Sequence, residues 1–271
     1  MTPLLNQWTY QAMVHELLTI VNNRVDLSRV PGINKDLKEI VLSAEQDTFY
    51  AANMYLNFGE IGGNIRTLVD EFQAKTKSHE NIESIADMKH FVENYPQFRA
   101  MSGTVSKHVS VVGELSRLVD AHDVLNVSEA EQELACQSNH SEVVQKMRSL
   151  LVSTKVRAKD KLRLVMLYAL RYERHSSSAL EEFVDTLHRV GIEESDRRML
   201  SLLLRYAGPN SPGRSSDLYG TKGAGGILRH LTGGLKGVEN IYTQHSPILL
   251  QLLDQLAKVR GWLVEGWGEE R

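Results

Sequence analysis

Large apolar residues recur at intervals of three and four in two stretches between positions 47 and 119, which is the spacing of one face of an α-helix. Asp47 can cap the start of this pattern, and a polar run at 75–81 interrupts it. The apolar positions are Tyr50, Met54, Phe58, Ile61, Ile65, Leu68 and Phe72 in the first stretch, and Met101, Val105, Val109, Val112, Leu115, Leu118 and Val119 in the second. Two long helices with a polar connection favour an antiparallel helical hairpin.

Pro96 stands inside a stretch that is otherwise compatible with a helix, SIADMKHFVENYPQFRAM at 84–101. Proline in a helix interior removes one backbone donor and clashes with the preceding turn, at a cost of about 3 kcal/mol or more. The pattern therefore predicts that the second helix of the hairpin follows Pro96. The stretch before the proline is able to form a helix but need not remain one.

The N-terminal part of the chain predicts a helix start followed by a small β element. Thr2 and Pro3 form a good helix start, because a hydroxyl group can cap a first turn and proline is tolerated at the first helical position. LTIVNNRVDL at 18–27 is typical of two short strands around an Asn-Asn turn, and Pro31-Gly32 ends this unit. A further strand is possible at 238–245.

Beyond position 123 the pattern predicts a bundle of shorter helices. Their expected ranges are 128–135, 141–151, 158–173, 176–190 and 193–206, followed by a final helix from Pro247 through Leu256. Ser128 and Glu131 have the spacing of a capping box, in which the two side chains satisfy free backbone donors at a helix start. The expected fold is thus predominantly α, with a long antiparallel hairpin, a helical bundle and a small β element.

Composition excludes several classes of protein. The formal net charge of -3 and the mixed signs along the chain give no footprint for nucleic-acid binding. Cys136 is the only cysteine, so no internal disulfide is possible and a reducing, cytoplasmic compartment is expected. The apolar runs are too short to span a membrane, and the N-terminus lacks the basic region of a signal peptide. Any membrane association is therefore expected to come through partners.

The motifs that could carry catalysis or metal binding are incomplete. His-Glu at 15–16 begins like a zinc-protease helix, but Thr19 stands where the second histidine should follow. Cys136 and His140 are one turn apart without a second ligand pair, and we expect Cys136 to be a small core residue. The glycine-rich segment 220–226 lacks the Gly-Lys-Ser/Thr of a phosphate loop. We predict neither an enzyme nor a bound cofactor or metal.

Six blocks of sequence, in a fixed order, are more specific. They are TPLLNQWTYQAMVHELL at 2–18, FVENYPQF at 91–98, GTVSKHVSVVGELSRLV at 103–119, EQELAC at 131–136, LVMLYALRYERHSS at 164–177 and GLKGVENIYTQHSPIL at 234–249. Together they resemble the SM (Sec/Munc) family of cytosolic proteins, which bind SNARE proteins and regulate membrane fusion. The resemblance is strongest to the branch that serves the trans-Golgi and endosomes. It implies syntaxin-type and vesicle-type SNARE partners and a peripheral location on Golgi and endosomal membranes.

The resemblance also implies a domain organisation, because SM proteins have three domains. This chain resembles domain 3 with flanking pieces of domain 2. The implied assignment is the end of a domain 2 segment at 1–20, domain 3a with the hairpin at 21–125, the helical domain 3b at 126–237, and a return into domain 2 with a divergent tail at 238–271.

In the SM family the hairpin of domain 3a forms part of the SNARE-binding surface, which implies a contact face on the helix after Pro96. The implied contact residues are three valines and three basic residues, namely Val105, Val109, Val112, Lys107, His108 and Arg117. The basic residues are expected to be exposed charges that meet acidic SNARE residues and affect orientation more than affinity. Alternatively, the three valines pack only against the other helix of the hairpin.

The same resemblance implies a hinge at Tyr95 and Pro96. In the family, the segment before this proline either folds back or extends the following helix, and the extended form is associated with promoting SNARE assembly. The cost of a proline in a helix, about 3 kcal/mol, would keep the two conformations close in energy, so that a partner can select one of them.

Two hypotheses about function follow from these observations. The first is a SNARE-binding regulator of vesicle docking and fusion, without enzymatic activity, whose hairpin serves as a template for SNARE helices. The second is a generic α-helical scaffold or tethering-type module without SNARE specificity. An α/β domain directly upstream of Thr2 would favour the first hypothesis.

Overall fold

The computed structural model of the chain describes residues 2–80, 85–136, 139–207, 245, 247, 249–250 and 252–258. The described residues fall into two compact units. The hairpin unit is Asn6–Val124, and the bundle unit comprises the residues up to Leu5 and those from Leu125 onward. The domain boundaries implied by the family resemblance stay a prediction.

The N-terminal residues do not form the helix predicted from Thr2, and the hairpin unit begins at Asn6 with an extended segment. Only a 3₁₀ turn forms at Thr2–Leu4, and α1 is Tyr10–Met13, which continues as a π-helical turn at Val14–Leu18. The reason is tertiary pairing. The Trp8 carbonyl accepts a hydrogen bond from the Phe58 N–H at 2.7 Å, which holds the preceding segment extended.

A small antiparallel sheet follows α1. Its strands are β1 (Ile20–Val21), β2 (Arg24–Asp26) and β3 (Glu39–Val41), in the order β1-β2-β3. Asn22 and Asn23 have φ values of 51° and 61°, which a two-residue type I′ turn requires, so the predicted pair of strands is confirmed. Strand β3, which pairs Ile40 with Val25, was not predicted.

Three helices complete the hairpin unit, and they are α2 (Thr48–Asn53), α3 (Phe58–Glu80) and α4 (Ile85–Ala121). Asp47 caps α2 as predicted, because its Oδ1 accepts a hydrogen bond from the Tyr50 N–H at 2.9 Å. Helices α3 and α4 pack along each other, and the rings of Phe72 and Phe98 stack with their centroids 5.1 Å apart. The predicted helical hairpin is therefore confirmed, but its first helix begins at Phe58. The continuous helix expected from Asp47 is interrupted after Asn53, where α2 ends.

Helix α4 is a single helix of 37 residues that contains Pro96. The prediction that this helix follows Pro96 is wrong, since the backbone is already helical from Ile85. Pro96 is exposed, so the carbonyl that lacks a helical N–H partner can be hydrated instead. The helix-compatible sequence on both sides then continues through the proline.

The bundle unit contains the five helices predicted for this part of the chain. They are α5 (Val124–Cys136), α6 (His140–Val152), α7 (Ala158–Tyr172), α8 (Leu180–Arg189) and α9 (Glu194–Ala207), and residues 249–250 and 252–258 are also helical. Helix α7 is central, because every residue from Leu164 to Leu170 is buried. A helix that is apolar on all sides is typical of a position surrounded by other helices.

Two predictions about the bundle unit are wrong. Ser128 is not a helix cap, because α5 begins at Val124 and carries Ser128 as a fully buried residue in its interior. Cys136 is not a core residue but lies exposed at the end of α5. The possible strand at 238–245 and the glycine-rich segment 220–226 lie outside the described residues, except for His245, which is not in a strand.

The hydroxyl group of Tyr168 joins three parts of the bundle unit. It accepts a hydrogen bond from the Ala179 N–H at 2.9 Å, just before α8, and lies 2.8 Å from Nε2 of His140 at the start of α6. The ring of Tyr168 also packs edge-on against Phe183, with the centroids 4.8 Å apart. This one side chain therefore fixes α6 and α8 against α7.

We expect Tyr168→Phe to lower the free energy of unfolding by about 1–3 kcal/mol, because it leaves the Ala179 N–H without its acceptor. Urea unfolding followed by circular dichroism measures this change. Tyr55→Phe is the control, since Tyr55 is 74% exposed and its variant should stay within about 0.5 kcal/mol of wild type. Equal effects of the two substitutions would show that the Tyr168 hydroxyl has no structural role.

Candidate functional site

The middle of α4 is anchored by a network of buried polar groups. His108 is 0% exposed and lies 2.8 Å from the Tyr10 hydroxyl through Nδ1 and 3.0 Å from Oδ2 of Asp47 through Nε2. Lys107 forms an ion pair with the same Asp47 oxygen. Asp47 thus joins α4 to the start of α2, and Tyr10 joins α4 to α1.

The ionised state of Asp47 follows from the groups that surround it. Burial alone would raise the pKa of Asp47, but hydrogen bonds from His108, Lys107 and the Tyr50 N–H outweigh burial and lower that pKa. An ionised carboxylate only accepts hydrogen bonds, so Nε2 of His108 carries a proton and donates it to Asp47. Nδ1 of His108 lies 2.8 Å from the Tyr10 hydroxyl, and the pKa of Tyr10 is raised by burial and by the Asp47 charge.

The three valines of the predicted contact face lie on one flank of α4. Val109 is 45% exposed, whereas Val105 and Val112 are half-buried. Their spacing of four and three residues places them side by side on the helix surface. Nearly half of Val109 therefore faces solvent, and whether the valines contact a partner or only α3 stays a prediction. This flank offers an exposed apolar edge next to the hairpin core.

The expectation that His108 is an exposed charge is wrong. Its ring is bonded at both nitrogens and packs against Phe49, with the centroids 4.6 Å apart, so it cannot reach a partner at the surface. Lys107 is not a free charge either, since its side chain is only 17% exposed. Its ammonium group is held by Asp47 and lies 3.4 Å from the Val41 carbonyl.

Arg117, Tyr95 and Pro96 are the remaining predicted residues, and all three are exposed on α4. The guanidinium group of Arg117 donates two hydrogen bonds to the carboxylate of Glu114, at 2.7 and 2.8 Å. This pairing neutralises part of the Arg117 charge. Tyr95 and Pro96 lie within continuous helix and are separated from the valines by more than two turns.

A cleft that the sequence did not indicate lies on another flank of α4. One wall consists of Ala100, Gly103, Thr104 and Lys107, which face the segment around β3. The opposite wall includes Leu37, Glu39, Val41 and Gln46, and the cleft has a volume of about 370 Å³. Its position depends on β3, whose three residues carry only one buried side chain and therefore leave little periodic signal.

In the described part of the chain, no three His, Cys, Asp or Glu side chains are grouped so that they could hold a metal ion. Within the same residues, none of the helices combines the length and the apolar character needed to cross a bilayer.

A long helical hairpin with an exposed apolar flank, in a chain that also contains a second helical unit, is typical of a class of interaction proteins. The chain belongs to the Sec1 family, whose sequence model matches residues 1–267, and the resemblance to SM proteins is thereby confirmed. Vacuolar protein sorting-associated protein 45 of Mus musculus is 60% identical to it over 260 residues. The protein of the same name from Homo sapiens is also 60% identical over 260 residues.

Solved structures show the same relationship. A structure described as SM protein Vps45 in complex with the Qa SNARE Tlg2 matches with a TM-score of 0.83 and 48% sequence identity. The match covers 96% of this chain and 46% of that one. The mouse and human relatives are likewise covered to 45% of their length by 96% of this chain. The chain therefore spans about half the length of the relatives that it matches.

We expect the Asp47 network to make stability depend on pH. Because the folded-state pKa of Asp47 is lowered, its contribution is full above the unfolded value of about 4 and is lost as the pH falls below it. Asp47→Asn should cost about 3 kcal/mol at neutral pH, since it breaks a buried ion pair. In the Asp47→Asn chain, the unfolding free energy should also decrease less steeply as the pH is lowered from about 5 to about 3.

Chemical denaturation at a series of pH values measures both effects, with Asp70→Asn on the exposed surface of α3 as the matched control. The control should keep the wild-type pH dependence. An equally steep fall in the wild-type and Asp47→Asn chains would contradict the assignment of the titrating group.

Proposed function

We propose that this chain is part of a SNARE-binding regulator of vesicle docking and membrane fusion in trans-Golgi and endosomal trafficking. The observation that carries the proposal is the likeness to a relative solved with a Qa SNARE, at 48% identity over nearly the whole chain. The names of the mouse and human relatives, which refer to vacuolar protein sorting, support the same pathway class. The proposed activity is non-enzymatic and consists of holding helices in place.

The proposed partners are syntaxin-type and vesicle-type SNARE proteins, and nucleic acid is not among them. The solved relative is in complex with a Qa SNARE, which supports the syntaxin-type partner. We propose a cytoplasmic protein that lies peripherally on Golgi and endosomal membranes and reaches them through these partners. The proposal of a vesicle-type partner rests on the family resemblance and on the exposed valine flank of α4.

The valine flank is suited to receiving a helix. An amphipathic helix docks through apolar positions that recur every three or four residues, and Val105, Val109 and Val112 repeat at that interval. Arg117 on the same helix is exposed. It is paired with Glu114, but its guanidinium group can also contact an acidic residue of the docked helix. His108 and Lys107 act behind this surface, because their bonds to Asp47 hold α4 at a fixed rotation.

The proposed hinge at Tyr95 and Pro96 concerns the part of α4 that begins at Ile85. In this structure the segment extends the helix, which in the family is the form associated with SNARE assembly. The absent N–H of Pro96 weakens the helix locally, by about 3 kcal/mol. The anchored part of α4 around His108 lies three turns further on, so the segment could unfold without disturbing the anchor.

We expect Val109→Asp to weaken binding of a vesicle-type SNARE motif by about tenfold or more, because it places a charge in the apolar contact. Fluorescence anisotropy with labelled cognate syntaxin-type and vesicle-type SNARE motifs measures this. Val152→Asp is the matched control, since Val152 is 62% exposed and belongs to the bundle unit. No binding by the well-folded chain would favour the generic scaffold, and equal effects of both substitutions would refute the valine flank.

We expect Pro96→Ala to strengthen the helix before position 96 by up to about 3 kcal/mol, because it restores a backbone donor and removes the ring clash. Slower amide hydrogen exchange across residues 85–95, together with tighter SNARE binding, is the expected result. Pro31→Ala, in an exposed turn of the same unit, should change neither measurement. Unchanged exchange across 85–95 in the Pro96→Ala chain would count against a hinge at this proline.

A further inference from the structure

The outer edge of β3 carries backbone groups that point away from the sheet. In the antiparallel pairing with β2, Leu27 donates to the Lys38 carbonyl at 2.7 Å and Leu42 donates to the Asn23 carbonyl at 2.8 Å. Bonded and non-bonded residues alternate along such a ladder, so the N–H and C=O groups of Glu39 and Val41 face the opposite side. The Val41 carbonyl accepts a hydrogen bond from the Lys107 ammonium group at 3.4 Å, which leaves both backbone groups of Glu39 and the Val41 N–H for a further strand. A strand edge with such groups is a template for pairing with another strand.

The free edge of β3 opens into the cleft beside α4. The helix contributes Ala100, Gly103 and Thr104, which are small residues that allow a peptide backbone to approach closely. A Cβ atom placed on Gly103 would meet no heavy atom within 4 Å, so the space beside it is unfilled. The wall from Ala100 to Lys107 is about 10 Å long, which is the length of about three residues of extended chain.

The charges in the cleft select for a basic occupant. Asp36, Glu39 and Asp47 supply three carboxylates, whereas Lys107 supplies the single cation of the lining. Lys107 is already paired with Asp47, and Glu39 forms an exposed ion pair with Arg24. Within the described part of the chain, no hydrogen bond or ion pair engages the Asp36 carboxylate. A cation on the occupant would therefore find a carboxylate at the Asp36 end.

We infer that this cleft is a binding site for an extended segment of a partner protein, which adds to the free edge of β3 as a fourth strand and carries a lysine or arginine toward Asp36. Backbone hydrogen bonds to both groups of Glu39 and to the Val41 N–H provide affinity, and the basic side chain fixes the orientation of the peptide. The site lies on a different flank of α4 from the valine flank. It does not rest on the proposed SNARE function, and either can fail without the other.

The test uses the whole chain and a fluorescein-labelled ten-residue peptide of alternating valine and threonine with two lysines. A peptide with glutamates in place of the lysines is the charge control. We expect the lysine peptide to bind about tenfold more tightly than the glutamate peptide. Asp36→Asn should weaken binding of the lysine peptide several-fold and reduce the salt dependence of that binding. At saturation, the Glu39 and Val41 amides should exchange more slowly with solvent.

Substitutions that fill the cleft separate this site from non-specific binding. Gly103→Leu and Ala100→Leu should each weaken binding of the lysine peptide by about tenfold. Gly62→Leu is the matched control, because Gly62 is an exposed helical glycine on α3 whose added Cβ also meets nothing within 4 Å. Circular dichroism and thermal unfolding show whether each variant is folded, and Ala100→Leu provides a second blocking variant beside Gly103→Leu.

Three outcomes overturn the inference. The first is that the lysine peptide does not bind the wild-type chain at millimolar concentration. The second is that it binds both blocking variants as tightly as wild type, or leaves the Glu39 and Val41 amides unprotected. The third is a dimer of the chain that Gly103→Leu dissociates, which would assign the free edge to a second copy and not to a partner peptide.

Discussion

The carboxylate of Asp47 is the group on which the hairpin unit depends. One of its oxygens caps α2 through the Tyr50 N–H, and the other receives His108 and Lys107 from the middle of α4. A buried carboxylate is stable only when such donors compensate for the loss of water, so these elements must come together as a set. Tyr10 extends the set to α1. The rotation of α4 about its own axis is fixed by these contacts.

That fixed rotation determines what each side of α4 presents. The flank with Val109 faces solvent beside the hairpin core, whereas the flank with Gly103 faces β3 across a cleft. The segment before Pro96 lies beyond the anchor and gains no support from Asp47. A single buried network thus holds the centre of α4, so that the valine flank and the cleft beside β3 lie on different sides of one helix.

Features that depend on spacing within one segment were accessible from the sequence. The hairpin helices, the β1–β2 turn at Asn22 and the bundle helices all follow from local periodicity or from residues that tolerate positive φ. The capping motif at Ser128 is equally local, yet it was misleading, since α5 begins at Val124 and Ser128 lies buried in its interior. Strand β3 gave too short a pattern to be recognised, and with it the cleft was missed.

By itself, the sequence determined the helical class, the position of the proline and the membership in a family, because periodicity and ordered blocks are properties of neighbouring residues. Only the tertiary structure decided that His108 is a buried anchor and not a surface charge, because its acceptor lies 61 positions away at Asp47. It also decided that α4 runs through Pro96 and faces β3. These outcomes depend on packing and on the desolvation of charged groups, which no local pattern encodes.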